Sequence, residues 1–211
     1  MPTVAFDFDS TLIDRESLDE ILARALLERP LDAERIRAIT VEGMEGRIPF
    51  RESMERRLAI AKPRRRDVEG FGEEATRYLT PGLADLIRTL DADVWIVSGA
   101  LVETLWPVAD LLGVPHRRVL GTRARWSRGG ELLSLVRCGT KEEAVRASPD
   151  PWTSPRVGVG DGMSDYALLE AGLLDHFIAF TAHVARAPLL ATGVPNADSV
   201  ERLRYLLAGL L

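Results

Sequence analysis

Short apolar runs alternate with helical patterns along most of this 211-residue chain, and this alternation restricts the possible folds more than any other feature. The runs are rich in β-branched and aromatic side chains, as buried strands are, and lie at residues 4–8, 93–97, 118–121, 157–160 and 176–180. Helical spacing predicts helices at residues 81–90, 101–112, 141–147, 164–171 and 200–211. A hairpin is expected at residues 122–136, turning at Gly129 and Gly130. This order predicts an α/β fold with a Rossmann-like parallel sheet covered by helices on both faces.

Residues 14–76 break the alternation and contain no strand pattern of any length. Their first part has apolar side chains at helical spacing up to Pro30, at Leu18, Ile21, Leu22, Ala25 and Leu26. The remainder is rich in arginine and glutamate and is broken by glycine and proline. We therefore expect an α/β core made of residues 1–13 and 77–211, with residues 14–76 inserted as a small helical domain.

Charge and composition argue against several classes of function. The net charge is −5, with 46% hydrophobic and 28% charged residues, which is ordinary for a globular protein. An acidic chain argues against nucleic-acid binding, although a locally positive pocket still permits an anionic substrate. No apolar run is long enough for a membrane helix, the first residues do not resemble a signal peptide, and Cys138 is the only cysteine. We expect a cytoplasmic protein, and the sequence does not decide between a monomer and a homodimer.

Four groups of polar residues lie at the ends of predicted strands or the starts of predicted helices. They are Asp7 with Asp9, Ser98 with Gly99, Lys141, and Asp161 with Asp165. Ligands of a parallel sheet bind beyond the carboxyl ends of its strands, so we expect these groups to meet there. Each group alone is common in proteins, and the prediction depends on all four occurring in this order.

These residue types suit the chemistry of phosphate esters. Of two neighbouring carboxylates, one can attack phosphorus and the other can donate a proton to the leaving oxygen. A serine hydroxyl and an unhindered backbone N–H bind phosphate oxygens. Only two of the 27 basic residues are lysine, Lys62 and Lys141, which suggests that Lys141 is needed as a compact point charge. Mg²⁺ prefers carboxylate oxygens and would offset the repulsion between an acidic nucleophile and phosphate.

The four groups resemble, in order, the four motifs of the haloacid dehalogenase superfamily of aspartate-nucleophile phosphatases, and they span nearly the whole chain. The opening motif at residues 6–13, Phe-Asp-Phe-Asp-Ser-Thr-Leu-Ile, resembles that of the phosphoserine phosphatase branch closely. That branch places a helical cap between its first and second motifs, where we expect the insert. The resemblance implies a magnesium-dependent phosphatase that forms an aspartyl-phosphate intermediate.

The resemblance also implies a role for each motif residue. Asp7 would be the nucleophile and Asp9 the general acid and base. The Mg²⁺ ligands would be Asp7, the backbone carbonyl of Asp9 and Asp161, with Asp165 orienting that group. The phosphate ligands would be Ser98, Gly99 and Lys141.

Cap residues match positions that bind the amino acid part of the substrate in this branch. Glu16 would bind the ammonium group and Arg57 the carboxylate, although only one of Arg57 and its neighbour Arg56 can face the pocket. Met44 begins a segment, residues 44–50, that resembles the one closing over the substrate. Because a phosphorylated amino acid carries one cation and two anionic groups, an acid and an arginine fork are suitable partners. The expected substrate is O-phospho-L-serine, a small phosphorylated metabolite of serine biosynthesis.

Some positions depart from the pattern of the branch. Ala100 and Leu101 replace a glycine and an aromatic residue after Ser98 and Gly99, and a methyl group there is expected to narrow or tilt the pocket. Ser164, which we expect to bind substrate, stands where asparagine or threonine is common. These departures leave open another small ester, such as a phosphorylated amino alcohol or a methionine-salvage intermediate. The same aspartyl phosphate would also serve a phosphotransferase.

Overall fold

A seven-stranded sheet lies at the centre of the computed structural model, which describes residues 1–27, 29–44 and 47–211 and omits the side chain of Met44. The strands are β1 (Thr3–Phe6), β2 (Asp93–Leu101), β3 (Val119–Trp126), β4 (Leu132–Arg137), β5 (Arg156–Gly160), β6 (His176–Phe180) and β7 (Asn196–Ala197). Their order is β4-β3-β2-β1-β5-β6-β7. Neighbouring strands are parallel except β3 and β4, which form the predicted hairpin. The mostly parallel sheet confirms the predicted α/β fold.

Helices connect the strands and cover the sheet. They are α1 (Ser17–Ala25), α2 (Pro30–Met44), α3 (Phe50–Ala61), α4 (Arg65–Ala75), α5 (Leu83–Thr89), α6 (Val102–Leu112), α7 (Lys141–Arg146), α8 (Met163–Glu170), α9 (Ala187–Leu190) and α10 (Val200–Ala208). Side chains alternate between the two faces of a strand, so each face of the sheet carries its own hydrophobic cluster. In β1, Val4 and Phe6 belong to the larger cluster and Ala5 to the smaller one. Both faces are therefore buried, as parallel strands require.

The first four helices occupy the stretch that was expected to be an insert. The chain leaves and re-enters the α/β part through two adjacent segments, because Ile13 pairs with Leu79 and the Asp14 N–H donates to the Tyr78 carbonyl at 3.0 Å. Helix α4 packs closely on α6, since a Cβ atom on Gly72 would lie 2.6 Å from the Glu103 backbone oxygen. We propose that residues 14–76 form a cap inserted into a core of residues 1–13 and 77–211.

Two strand ends differ from the sequence prediction. β1 ends at Phe6 rather than at residue 8, because residues Phe8–Leu12 form a tight helical turn in which Ser10 has a φ of 54°. β2 continues to Leu101 rather than ending at residue 97, because pairing with β3 resumes beyond an irregularity. Ser98 and Gly99 therefore lie in the irregular end of a strand rather than in a turn after it.

Candidate active site

Asp7, Lys141 and Asp165 meet at the carboxyl ends of β1 and β5. The Asp7 N–H donates to the Val159 carbonyl at 2.9 Å, which fixes the aspartate to the neighbouring strand. Lys141 Nζ lies 2.5 Å from Oδ1 of Asp7 and 2.5 Å from Oδ1 of Asp165. The three side chains are at most 9% exposed, so water screens their charges little. The lysine predicted to be a point charge thus bridges two of the predicted acids.

Asp161 joins Asp7 and Asp165 in a compact carboxylate group. One carboxylate oxygen from each of the three lies within 4.8 Å of the others, and all three residues are buried. Gly160 makes room for this group, because a Cβ atom there would lie 2.4 Å from Cγ of Asp165. Such a set of three oxygen donors suits a Mg²⁺ ion, because the combined negative charge of the three carboxylates is larger than the single positive charge of Lys141.

The pKa values of the group reflect this crowding. Burial, reinforced by the charge of Asp7, raises the pKa of Asp161 to about 6 and that of Asp165 to about 7, against the opposing effects of Arg186 and Lys141. Burial alone would lower the pKa of Lys141, but the charges of Asp165 and Asp7 raise it above its ordinary value. Lys141 therefore stays an ammonium ion in the working range of pH.

Asp9 occupies the turn after β1 and has a different environment. The Ser17 backbone N–H donates to Asp9 Oδ1 at 2.9 Å, and the Ser17 hydroxyl lies 3.0 Å from Asp9 Oδ2. Burial raises the pKa of Asp9 well above its ordinary value, and the charges of Asp7 and Glu16 add to the effect, while Ser17 opposes it. A carboxyl group whose pKa is raised in this way holds its proton to higher pH than an ordinary aspartate, which suits it to act as a general acid.

Ser98 and Gly99 lie at the irregular end of β2. The Ala100 N–H donates to Ser98 Oγ at 3.0 Å, and the Thr122 hydroxyl donates to the Gly99 carbonyl at 2.7 Å. The cap reaches this segment, because a Cβ atom on Gly99 would lie 2.7 Å from Cζ of Phe50. The expectation that the Ala100 methyl group narrows or tilts the pocket stays a prediction. Ala100 is 4% exposed and packs, with Leu101, in the larger hydrophobic cluster.

Glu16 stands just before α1, next to the turn that carries Asp9. The Ser10 hydroxyl donates to Glu16 Oε1 at 2.8 Å. Ser164, in contrast, lies exposed in the first turn of α8. Met44 falls outside the described side chains.

The structure distinguishes between the two candidate arginines of α3. Arg57 is 8% exposed, and its guanidinium contacts the Ser53 carbonyl at 3.3 Å and Asp19 at 3.9 Å. Arg56 is exposed and pairs with Glu42 at 3.2 Å on the outer surface. Arg57 is therefore the arginine that faces inward, in the register expected of a substrate ligand.

Arg186 is a site residue that the sequence analysis missed. It follows β6 in the loop formed by residues 181–186, and its Nε donates to Asp161 Oδ2 at 2.8 Å. Its Nη2 also reaches Glu16 Oε1 at 3.2 Å. Arg186 thereby links the carboxylate group of the core to the acid expected to bind the substrate ammonium. Its position beyond the carboxyl end of a predicted strand was the available signal.

Comparison with known proteins places these residues in a family context. The chain matches the model of haloacid dehalogenase-like hydrolases over residues 4–170. A phosphoserine phosphatase of Halobacterium salinarum is 33% identical over 187 residues, which make up 81% of this chain and 82% of that protein. The chloroplastic phosphoserine phosphatase of Arabidopsis thaliana is 29% identical over 205 residues, or 92% of this chain but only 66% of that protein.

A solved structure is also similar over almost the full chain. It is the crystal structure of a phosphoserine phosphohydrolase-like protein from Francisella tularensis, with a TM-score of 0.89 and 34% sequence identity. The match covers 98% of this chain and 99% of that one. Within the described residues, no helix has the length and apolar character needed to cross a membrane.

Proposed function

Because this chain belongs to the haloacid dehalogenase-like hydrolase family and is a phosphoric monoester hydrolase of its phosphoserine phosphatase-like branch, we propose that its substrate is O-phospho-L-serine. The observation that carries the proposal is that an acid, Glu16, and a buried, inward-facing arginine, Arg57, lie within electrostatic reach of each other, with Glu16 next to the turn that carries Asp9. Burial lowers the pKa of Arg57, and the negative charges of Asp19 and Glu16 oppose that effect, so the Arg57 guanidinium lies within electrostatic reach of both acids. Phosphoserine carries an ammonium and a carboxylate that fit this pair.

In the proposed reaction, Asp7 and Asp9 act in turn. A carboxylate oxygen of Asp7 forms a bond to phosphorus while the bond from phosphorus to the serine oxygen breaks. The protonated carboxyl of Asp9 gives its proton to that oxygen, so serine leaves as a neutral alcohol. Water then attacks the aspartyl phosphate, Asp9 takes its proton, and the Asp7 carboxylate is restored as inorganic phosphate leaves.

The surrounding residues hold the phosphate and offset its charge. Lys141 contacts Asp7 at 2.5 Å, so its ammonium group lies beside the oxygens of any phosphate bound there. Ser98 and Gly99 would supply a hydroxyl and a backbone N–H from β2. Mg²⁺, held by Asp7, the Asp9 backbone carbonyl and Asp161 with Asp165 as the orienting group, would neutralise charge on phosphate and nucleophile.

Replacing Arg57 with alanine tests the proposed substrate. Arg57→Ala is expected to lower kcat/KM for phosphoserine by about 100-fold, because a desolvated carboxylate loses its charged partner. Hydrolysis of p-nitrophenyl phosphate, which has no carboxylate, should change by less than about threefold. Steady-state kinetics on both substrates measures the difference.

The neighbouring arginine provides the matched control. Arg56→Ala removes an exposed guanidinium from the same helix, and both rates are expected to stay within about twofold of wild type. Equal losses on both substrates for Arg57→Ala would show that Arg57 only supports the cap, and the assignment of phosphoserine would lose its main argument.

Magnesium is expected to raise the melting temperature more at pH 8 than at pH 5. The pKa values of Asp161 and Asp165, about 6 and about 7, are raised by folding, so the folded metal-free protein loses stability as pH rises from about 4 to about 7. Mg²⁺ binds the deprotonated carboxylates and reverses that loss. Thermal unfolding with MgCl₂ or EDTA measures the shift. A shift of equal size at both pH values, or an unchanged shift in Asp161→Asn, would contradict the assigned ligands.

A further inference from the structure

His183 lies outside the catalytic group, yet it contacts the segment where the cap joins the core. Its Nε2 is 2.8 Å from the hydroxyl oxygen of Thr80, and its ring meets the ring of Phe180 edge to face at 6.0 Å. Thr80 is 4% exposed and directly follows Leu79, which pairs with Ile13 across the two cap connections. His183 thereby ties the loop of residues 181–186 to the base of the cap.

The direction of this hydrogen bond follows from the partners of Thr80. The Thr80 hydroxyl donates its single hydrogen to the Thr11 carbonyl at 2.8 Å, so it can only accept from His183. His183 Nε2 must therefore carry a hydrogen. Thr80 is itself fixed, because its backbone N–H donates to the Leu12 carbonyl at 2.8 Å. A donor at position 183 is thus connected through one hydroxyl to the turn that holds Asp9.

The same loop carries Arg186 into the site. Three residues after His183, the Arg186 guanidinium contacts Asp161 at 2.7 Å and Glu16 at 3.2 Å. Thr181, at the other end of the loop, is held to β7, since its N–H donates to the Ala197 carbonyl at 2.9 Å. Among the described residues between these two ends, His183 makes the side-chain hydrogen bond that fixes the loop, which is its bond to Thr80.

We propose that His183 is a positioning residue that acts through Thr80 to hold the 181–186 loop, so that Arg186 keeps its contacts with Asp161 and Glu16. Without this bond the loop is free to move, and the guanidinium no longer partly neutralises the carboxylates that face the phosphate. Asp161 belongs to the phosphate chemistry rather than to recognition of the amino acid. The loss of activity is therefore expected with every phosphate monoester. The inference rests on phosphatase activity at this site but not on phosphoserine as the substrate.

The test uses p-nitrophenyl phosphate, so that an incorrect assignment of phosphoserine does not affect it. His183→Leu is expected to lower kcat/KM by about tenfold, because one partly buried hydrogen bond and the position of Arg186 are lost. His183→Gln places an amide donor near the position of Nε2 and should restore the rate to within about twofold of wild type. Thr80→Val, which removes the acceptor, should reproduce the loss, and the double variant His183→Leu/Thr80→Val should be no slower than either single variant.

His176, which is exposed at the start of β6, gives the matched control, and His176→Leu should retain wild-type activity. Thermal unfolding of every variant separates positioning from folding, since a purely structural role lowers the melting temperature without this pattern of rates. The proposal is overturned if His183→Leu stays within about twofold of wild type, if His183→Gln is as slow as His183→Leu, or if the losses from His183→Leu and Thr80→Val add.

Discussion

Asp7→Asn is expected to lower kcat by at least about 1,000-fold, because an amide oxygen is a far weaker nucleophile than a carboxylate oxygen. The amide has nearly the same size, and it keeps an oxygen that can accept from Lys141, 2.5 Å away in the wild-type protein. The fold should therefore survive, with a melting temperature at or above that of wild type, since one of three crowded acids is removed. Phosphate release under saturating substrate measures the rate.

Asp14 offers a control for the aspartate-to-asparagine change. It follows the same turn but its side chain is 41% exposed, and Asp14→Asn should keep wild-type kcat. Mass spectrometry provides a second readout, because rapid acid quench of the wild-type protein during turnover should trap one phosphoryl group on Asp7, and the Asp7→Asn protein should trap none. Activity of Asp7→Asn within about tenfold of wild type would end the assignment of Asp7 as nucleophile.

Lys141→Met is expected to lower the rate of phosphate release by about 1,000-fold and to destabilise the metal-free fold by about 3 kcal/mol at neutral pH. The ammonium group lies 2.5 Å from both Asp7 and Asp165, and its loss leaves two buried carboxylates without a cationic partner. Urea unfolding and phosphate release measure the two effects. The loss of stability should shrink towards pH 5, because Asp165, with a pKa of about 7, is then protonated.

Lys62, the other lysine of the chain, provides a matched control. It is exposed at the end of α3, and Lys62→Met should change neither stability nor rate appreciably. Lys141→Arg tests whether charge alone is sufficient, and we expect it to remain inactive because a planar guanidinium does not fit between two acids spaced for an ammonium. Wild-type activity in Lys141→Met would contradict the role of Lys141 in the site.

The sequence was sufficient to predict the features that local pattern encodes. Buried strands can be recognised in the sequence as apolar runs, and polar residues at their carboxyl ends meet because these ends lie at the same edge of a parallel sheet. Asp7, Lys141, Asp161 and Asp165 were therefore placed together correctly. The hairpin of β3 and β4 also followed from the glycine pair between two strand-like segments.

Other features depend on packing that a single sequence does not show. The choice between Arg56 and Arg57 is a rotation of about 100° around α3, and only contact with the other cap helices decides which one is buried. Arg186 lies in a loop without a recognisable pattern, and its role appears only when β6 brings it beside Asp161. The extension of β2 beyond Val97 arises from pairing with β3, a long-range interaction that the local sequence pattern does not show.

The most direct test of the central claim is the rate of phosphate release, with and without Mg²⁺, on L-phosphoserine, phosphothreonine, phosphoethanolamine and p-nitrophenyl phosphate. Phosphoethanolamine keeps the ammonium but lacks the carboxylate, so it isolates the contribution of Arg57. We expect magnesium-dependent release with kcat/KM for L-phosphoserine at least about 100-fold above that for phosphoethanolamine. Equal or faster hydrolysis of phosphoethanolamine, or no magnesium-dependent release from any of the four esters, would contradict the account.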